Sequence, residues 1–120
     1  MTTGSCACGA LRYSFNSAPV VSALCHCNGF KKSSSSNYTH NLIVPAVSFT
    51  TSGTAKECGT PLYITSEGAP GAVIVKAGTL DDPSLNEVNY RPTVEMFCKE
   101  KYSWLPDIER ARKFHGAMKH

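Results

Sequence analysis

The sequence predicts a mainly β protein with a short helix at its C-terminal end. Short apolar stretches alternate with turn-forming residues about every 8 to 12 positions, which is typical of a sheet assembly built from short strands. A helix-like pattern of apolar residues is found only near the end of the chain. The chain has 120 residues, a length that suits one domain with one modest core.

Each candidate strand is a short stretch bounded by glycine, proline, asparagine or serine. Residues 11–15 alternate apolar and polar side chains, as a half-buried strand does. The other candidate strands lie at residues 20–24, 41–44, 47–51, 61–65, 72–77 and 88–98. Pro92 interrupts the last of these and predicts an edge strand or a bend there, because proline cannot donate a hydrogen bond to a neighbouring strand.

The remaining segments are predicted as loops and one helix. Residues 31–37 include four consecutive serines and are predicted as a polar loop. A helix is predicted over residues 108–118, because Pro106 and Asp107 are typical of a helix start and apolar residues recur on one face after them.

Composition and charge exclude several classes of function. The net charge is +3 and the basic residues are spread along the chain, whereas a nucleic-acid-binding protein normally carries a dense basic stripe. No apolar run approaches the roughly 20 residues of a membrane helix, and the first residues lack the pattern of a secretory signal. We therefore expect a cytoplasmic protein with no nucleic acid or membrane partner; its oligomeric state is left open.

Six cysteines are the main functional signal in the sequence. In a reducing compartment, cysteines at such a density are more typical of metal binding or catalysis than of a disulfide framework. Cys6 and Cys8 form one C-x-C pair, and Cys25 and Cys27 form another. A C-x-C pair on a turn can place both thiolates about 2.3 Å from one ion, so we predict that both pairs bind zinc.

Four sequence blocks resemble those of the glutathione-dependent formaldehyde-activating enzyme family and occur in the same order. The blocks are Gly4-Ser5-Cys6-Ala7-Cys8-Gly9, Cys25-His26-Cys27, Cys58-Gly59-Thr60-Pro61 and Gly78-Thr79-Leu80-Asp81-Asp82-Pro83. The resemblance runs from residue 4 to residue 106 within a single domain, and residues 107–120 are predicted as its C-terminal helix and tail. It implies a β-tent fold, in which several short antiparallel strands surround two zinc sites.

The resemblance implies that a structural zinc is bound by Cys6, Cys8 and Cys58. In the family, the first C-x-C pair is joined by a later C-x-x-C. Here Ala55 stands where the fourth cysteine is expected, and the link between Phe49 and Cys58 is shorter than usual. For these three cysteines a structural zinc is expected rather than a catalytic one.

The resemblance also implies a catalytic zinc at Cys25 and Cys27, within a C-H-C-x-x-C run whose third cysteine is replaced by Phe30. Three sources of a third ligand are open: His26 turning inward, Cys98 approaching in space, or the sulfur of glutathione. His26 is expected to point away from both cysteines if this segment is extended, because side chains alternate along a strand, and to take a surface or second-layer position.

Three functions are weighed. The resemblance implies that glutathione adds to formaldehyde to give S-hydroxymethylglutathione, or that the reverse carbon–sulfur cleavage occurs, with zinc as Lewis acid. The first hypothesis is therefore a zinc-dependent carbon–sulfur lyase-like enzyme acting on glutathione, or related thiol, adducts of formaldehyde or another small electrophile. The alternatives are a non-catalytic zinc-binding module, suggested by Ala55 and Phe30, and the same fold recruited to a biosynthetic small molecule. Arg12 and Lys31 are candidate partners for the carboxylates of glutathione.

Overall fold

The computed structural model describes residues 1–54, 58–65 and 70–117. Within these ranges the chain forms two β-sheets and only two short α-helices, which confirms the mainly β prediction. The smaller sheet has three antiparallel strands in the order β1 (Thr2–Ser5), β2 (Leu11–Phe15) and β5 (Phe49–Gly53). None of the helices in the described ranges has the length and apolar character needed to cross a membrane.

The larger sheet has six strands and carries both antiparallel and parallel pairs. In spatial order they are β6 (Tyr63–Ile64), β7 (Ala72–Lys76), β4 (Thr39–Pro45), β3 (Val21–Cys25), β8 (Val94–Met96) and β9 (Arg112–Lys113). The pairs β3–β8 and β8–β9 are parallel and so depart from the antiparallel arrangement that was expected. A parallel neighbour requires a long connection: residues 26–93 lie between β3 and β8, and residues 97–111 lie between β8 and β9.

The first helix lies where a loop was predicted. Helix α1 (Asn28–Ser34) begins after Cys27, whose sulfur accepts a hydrogen bond from the amide of Phe30 at 3.4 Å. It ends at Ser35, which has a left-handed φ of 55°. The serines do not prevent the helix, since Ser34 Oγ donates back to the Phe30 carbonyl at 2.7 Å. The sequence did not predict this helix, because its polar residues give no apolar periodicity at helical spacing.

The second helix follows the aspartate-rich turn. In this turn Asp82 Oδ1 accepts a hydrogen bond from the amide of Ser84 at 3.0 Å, as aspartates in turns commonly do. Helix α2 (Ser84–Glu87) begins directly after it.

The helix predicted over residues 108–118 is wrong in its described part, and Met118 lies outside the described residues. This segment forms strand β9 instead. Arg110 has a φ of 67°, which breaks any helical path, and the amide of Phe114 donates to the carbonyl of Glu95 at 2.9 Å. Hydrogen bonds to β8 therefore replace the internal hydrogen bonds of a helix, and tertiary pairing overrides the local apolar pattern.

The core lies between the two sheets and reaches the first cysteine pair. Its fully or nearly buried members are Cys6, Tyr13, Phe15, Leu42, Val44, Leu62, Val73, Val75, Ala77 and Leu80. Cys6 is only 6% exposed, so one cysteine of the first pair belongs to the same apolar cluster that holds the sheets together. A metal bound by that pair would therefore add to the stability of the fold.

Gly4 in strand β1 lies against a side chain and a backbone carbonyl. A Cβ at this position would lie 2.2 Å from Tyr13 Oη and 2.6 Å from the carbonyl oxygen of Thr79. We expect Gly4→Ala to lower the free energy of unfolding by about 2 kcal/mol, because the backbone must shift to accept the methyl group. Chemical denaturation measures this, with Gly29→Ala as control since its Cβ would meet nothing within 4 Å. Equal stability of the two variants would contradict the expectation.

Candidate metal centre

The turn between β1 and β2 carries the first cysteine pair. The amide of Gly9 donates to the carbonyl of Cys6 at 2.9 Å, and Gly9 adopts a φ of 75°, a conformation that favours glycine. This turn brings the sulfur atoms of Cys6 and Cys8 to 3.4 Å. That separation is far longer than the roughly 2.05 Å of a disulfide bond, so both are free thiols.

Cys58 joins this pair from a distant part of the chain. The sulfur atoms of Cys6, Cys8 and Cys58 all lie within 4.8 Å of one another. Thr60 connects the two segments, because its Oγ1 accepts a hydrogen bond from the amide of Ala7 at 3.0 Å and lies 3.5 Å from the sulfur of Cys58. This contact of Thr60 could not be predicted from the sequence, because a hydroxyl residue two positions after a cysteine is a common pattern.

Hydrogen bonds from the protein favour the thiolate forms of Cys58 and Cys6. The hydroxyl and the amide of Thr60 lower the pKa of Cys58 to about 6. The amide of Leu11 lowers the pKa of Cys6. An amide hydrogen bond from Ala10 acts in the same direction on Cys8, but its neighbours Cys6 and Cys58 outweigh it and raise the pKa of Cys8. A cation would draw all three into the thiolate form.

The three thiols fit a divalent metal ion. Tetrahedral coordination with bonds of about 2.3 Å places sulfur atoms about 3.8 Å apart, so the observed spacing requires shifts of less than about 1 Å. No fourth histidine, cysteine, aspartate or glutamate joins the cluster among residues 1–54, 58–65 and 70–117. Ala55 lies outside the described residues, and its methyl group has no donor atom. The cluster is therefore a three-thiol centre that could hold a metal ion.

The second pair, Cys25 and Cys27, lies at the end of β3 and the start of α1. Cys25 is 1% exposed, and burial raises the pKa of its thiol to about 12, whereas Cys27 is half-buried. Interaction with Cys27 also raises the pKa of Cys25. In the part of the chain that the structure describes, neither belongs to a group of three metal-ligating side chains.

His26 and Cys98 do not complete a ligand set for this pair. His26 is 1% exposed, which is not the surface position that was expected, and its Nε2 lies 2.9 Å from Glu95 Oε1. The sulfur of Cys98 lies 3.6 Å from the carbonyl oxygen of Glu95. Both side chains thus interact with β8, since alternation along the extended chain directs His26 away from its cysteine neighbours.

A lysine stands beside the pair. The ammonium of Lys76 lies 3.7 Å from the ring centroid of Phe30, the residue at the third cysteine position, and 3.0 Å from Asn41 Oδ1. Burial lowers the pKa of Lys76, and its charge favours ionisation of Cys25. A lone lysine at the end of an apolar strand gave no functional signal in the sequence.

Two thiols, a cation and an aromatic ring do not fit a catalytic zinc, which requires three protein ligands. The chemistry available to the chain's own residues at this place is that of a thiol pair beside an ammonium group.

The two candidate cations for glutathione already have partners in the protein. Arg12 Nη2 lies 2.7 Å from Asp81 Oδ2, and both side chains are partly exposed. Lys31 is 7% exposed, and its ammonium donates to the carbonyl of Glu100 and lies 3.7 Å from the ring centroid of Tyr102. Lys31 therefore stabilises α1 against the segment after β8.

Comparison with protein families places these cysteines in context. The sequence matches the profile described as "Glutathione-dependent formaldehyde-activating enzyme" over residues 1–57 and 54–100. The chain belongs to this family. No curated protein matches it. The two matched segments meet at residues 54–57, within the link that is predicted to be shortened.

Family membership links the chain to glutathione-related formaldehyde chemistry or to a related zinc-binding function. The three-thiol centre of this family member combines the first C-x-C pair with Cys58, as the resemblance implied. The thiol pair at Cys25 and Cys27 stands apart from that centre.

Proposed function

We propose that this protein is a zinc-dependent carbon–sulfur lyase-like enzyme acting on glutathione, or related thiol, adducts of formaldehyde or another small electrophile. Family membership supports the reaction class. The observation that carries the metal requirement is the convergence of Cys6, Cys8 and Cys58 within 4.8 Å. Zinc is the proposed metal because thiolate ligands in tetrahedral geometry are typical of zinc.

Zinc at the three-thiol centre would supply folding free energy and fix the β1–β2 turn to the segment that begins at Cys58. Cys6 belongs to the core, whereas Cys8 and Cys58 are exposed. Such a connection is useful in a chain whose strands are short. The enzyme would therefore need zinc for its stability, although the reaction is proposed to take place at Cys25 and Cys27.

We place the reaction at Cys25 and Cys27, beside Lys76. In the cleavage direction, the carbon–sulfur bond of the adduct breaks and its electron pair moves to sulfur, while the hydroxyl proton leaves as the carbonyl forms. Cys27, the more accessible thiol, would accept the hydroxyl proton as a thiolate. Cys25 would remain a thiol, since burial raises its pKa to about 12, and would donate a hydrogen bond to Cys27.

Lys76 would protonate the departing thiolate of the adduct. Burial lowers the pKa of its ammonium, which makes it a readier proton donor than an exposed lysine. Asn41 and the Phe30 ring hold the ammonium in place. The proton count balances, because one proton moves from the hydroxyl to Cys27 and one from Lys76 to the product thiol, and solvent exchange restores both groups.

Turnover of the adduct tests this function. With zinc-loaded protein, exchange between glutathione, formaldehyde and S-hydroxymethylglutathione, followed by nuclear magnetic resonance, should exceed the uncatalysed rate. Cys27→Ser should lower the catalysed rate by about 100-fold, because a positioned proton acceptor is lost. Cys98→Ser is the matched control, since Cys98 belongs to neither cysteine group, and it should keep the rate. Failure of the zinc-loaded wild type to exceed the uncatalysed rate would contradict the proposal.

A second candidate function is a non-catalytic zinc-binding module. It is favoured by the packing of Phe30 against Lys76 at the place where the family has a third cysteine. This candidate requires one tightly held zinc per chain and no turnover with any aldehyde. The same exchange experiment separates it from the enzyme.

A further inference from the structure

The imidazole of His26 has a partner for only one of its two nitrogens. His26 is 1% exposed, and its Nε2 lies 2.9 Å from Glu95 Oε1. Its Nδ1 is buried and has no hydrogen-bond partner in the part of the chain that the structure describes. Buried polar atoms in folded proteins are nearly always paired, because an unpaired one costs free energy. Nδ1 therefore indicates a partner from outside these residues.

The contact with Glu95 decides what Nδ1 can do. Glu95 is fully buried and pairs with Lys101 at 2.9 Å, so it is a carboxylate with no hydrogen to donate, and the hydrogen of the His26–Glu95 contact is on Nε2. Lys101 already balances the charge of Glu95, and a charged ring with an unpaired N–H would be costly in the interior, so we take the imidazole as neutral. In this tautomer Nδ1 carries a lone pair and can only accept a hydrogen bond.

His26 lines a small cavity of about 80 Å³. The other lining residues are aliphatic or aromatic: Leu24, Tyr38, Leu105, Pro106 and Ile108. Since one water takes up about 30 Å³ of the liquid, the cavity has room for about two or three waters, or for an organic molecule of about four non-hydrogen atoms. This is well below the roughly 300–1,000 Å³ of a drug-sized site, so only a very small ligand fits.

The same carboxylate fixes two sides of this cavity. Glu95 Oε1 contacts His26, and Oε2 accepts a hydrogen bond from the amide of Ile108 at 3.0 Å. Tyr38 is 39% exposed, and its ring is tilted against the imidazole with a centroid separation of 6.0 Å. The cavity is therefore a preformed recess with apolar walls and one hydrogen-bond acceptor, and its solvent edge lies at Tyr38.

We propose that this cavity binds a small neutral alcohol, whose hydroxyl donates a hydrogen bond to His26 Nδ1 and whose short carbon chain lies against Leu105 and Ile108. Aliphatic walls favour carbon, and a single acceptor favours a single donor. A charged ligand does not fit, because its burial would require a counter-ion that these walls lack. The binding is non-covalent and separate from Cys25 and Cys27, so it goes beyond the reaction proposed there and does not depend on it.

Nuclear magnetic resonance of the His26 ring nitrogens in zinc-loaded protein tests this site. The probes are propan-1-ol and propionitrile, which are equal in number of non-hydrogen atoms, although propionitrile can only accept a hydrogen bond. Propan-1-ol should shift the Nδ1 signal saturably, with a dissociation constant of about 1–10 mM, and should shift Nε2 much less because its contact with Glu95 persists. Propionitrile should bind at least about tenfold more weakly, because it leaves Nδ1 without a donor.

Three variants locate the binding. Leu105→Phe places a larger side chain in the recess and leaves His26 and Glu95 intact, so the shift should disappear. Val47→Phe is the matched control, because Val47 is 99% exposed and lies outside the lining, and it should keep the affinity of wild type. His26→Gln keeps an N–H donor for Glu95 but has no acceptor in place of Nδ1, so binding, followed on the ring signals of Tyr38, should weaken by at least about tenfold.

Several results would overturn the proposal. They are the absence of a saturable Nδ1 shift with propan-1-ol, an affinity for propionitrile equal to or above that for propan-1-ol, and wild-type affinity in Leu105→Phe. A hydrogen on Nδ1 in the ligand-free protein would overturn it as well, because the site would then donate rather than accept. If His26→Gln does not fold, the two ligands and the comparison of Leu105→Phe with Val47→Phe still decide.

Discussion

Replacement of Cys6 by serine should remove the metal and much of the stability of the fold. Cys6 is 6% exposed, lies in the core cluster and accepts a hydrogen bond from the amide of Leu11, so no other side chain can take its place. A serine hydroxyl is a poor zinc ligand. We expect the thermal midpoint of the zinc-loaded protein to fall by more than about 10 °C, because several kcal/mol of metal-binding free energy are lost.

Thermal denaturation with and without a chelator measures this loss. Cys98→Ser is the matched control, because Cys98 is half-buried but stands outside the cluster, and we expect it to bind metal as the wild type does. A chelator should lower the midpoint of wild type and of Cys98→Ser, but not that of Cys6→Ser. If Cys6→Ser had the same thermal midpoint as the zinc-loaded wild type, the expected stabilisation of the fold by the metal would be contradicted.

Glu95 is the second position where a large effect is expected. Its carboxylate is fully buried in β8, and Oε1 lies 2.9 Å from both His26 Nε2 and Lys101 Nζ. Oε2 accepts a hydrogen bond from the amide of Ile108 at 3.0 Å. One side chain therefore connects β8 to the end of β3 and to the C-terminal segment.

Glu95→Ala should lower the free energy of unfolding by about 3–5 kcal/mol, because Lys101 and His26 lose their buried partner. Chemical denaturation measures this. Glu87→Ala, at an exposed position in α2, serves as control and should change stability by less than about 0.5 kcal/mol. Similar losses of unfolding free energy in the two variants would contradict the expected stabilisation by the hydrogen bonds of Glu95.

The same carboxylate gives a pH dependence with a definite sign. Burial opposes its ionisation, but the hydrogen bonds from Lys101, from the amide of Ile108 and from His26 outweigh burial and lower the pKa of Glu95 to about 2. Because the folded pKa is below the ordinary value, the stabilisation is complete above about pH 4.5 and is lost as the pH falls towards 2. The stability difference between wild type and Glu95→Gln should shrink over that interval in paired denaturation measurements.

The strands and the first C-x-C pair could be recognised in the sequence because their signals are local. Residues 11–15 alternate in polarity, and Cys6 and Cys8 are separated by one residue and followed by Gly9. The expectation that Cys58 joins this pair came from the order of the sequence blocks. In the structure the three sulfur atoms lie within 4.8 Å of one another. The assignment of Cys25 and Cys27 as catalytic residues stays a prediction.

The features that could not be predicted depend on tertiary contacts. The C-terminal segment has helical periodicity, yet it pairs with β8 because Glu95 holds the amide of Ile108 and its carbonyl accepts from Phe114. The ammonium of Lys76 lies near Phe30 only because β7 pairs with β4. Neither contact leaves a pattern in the adjacent sequence.

Metal content per chain tests most directly whether Cys6, Cys8 and Cys58 form the metal centre and whether it is separate from the second pair. Elemental analysis of wild type, Cys6→Ser and Cys25→Ser, each with and without glutathione, is the measurement. Without glutathione we expect one zinc per chain in wild type and in Cys25→Ser, and none in Cys6→Ser. Retention of zinc by Cys6→Ser together with its loss from Cys25→Ser would contradict the three-thiol centre.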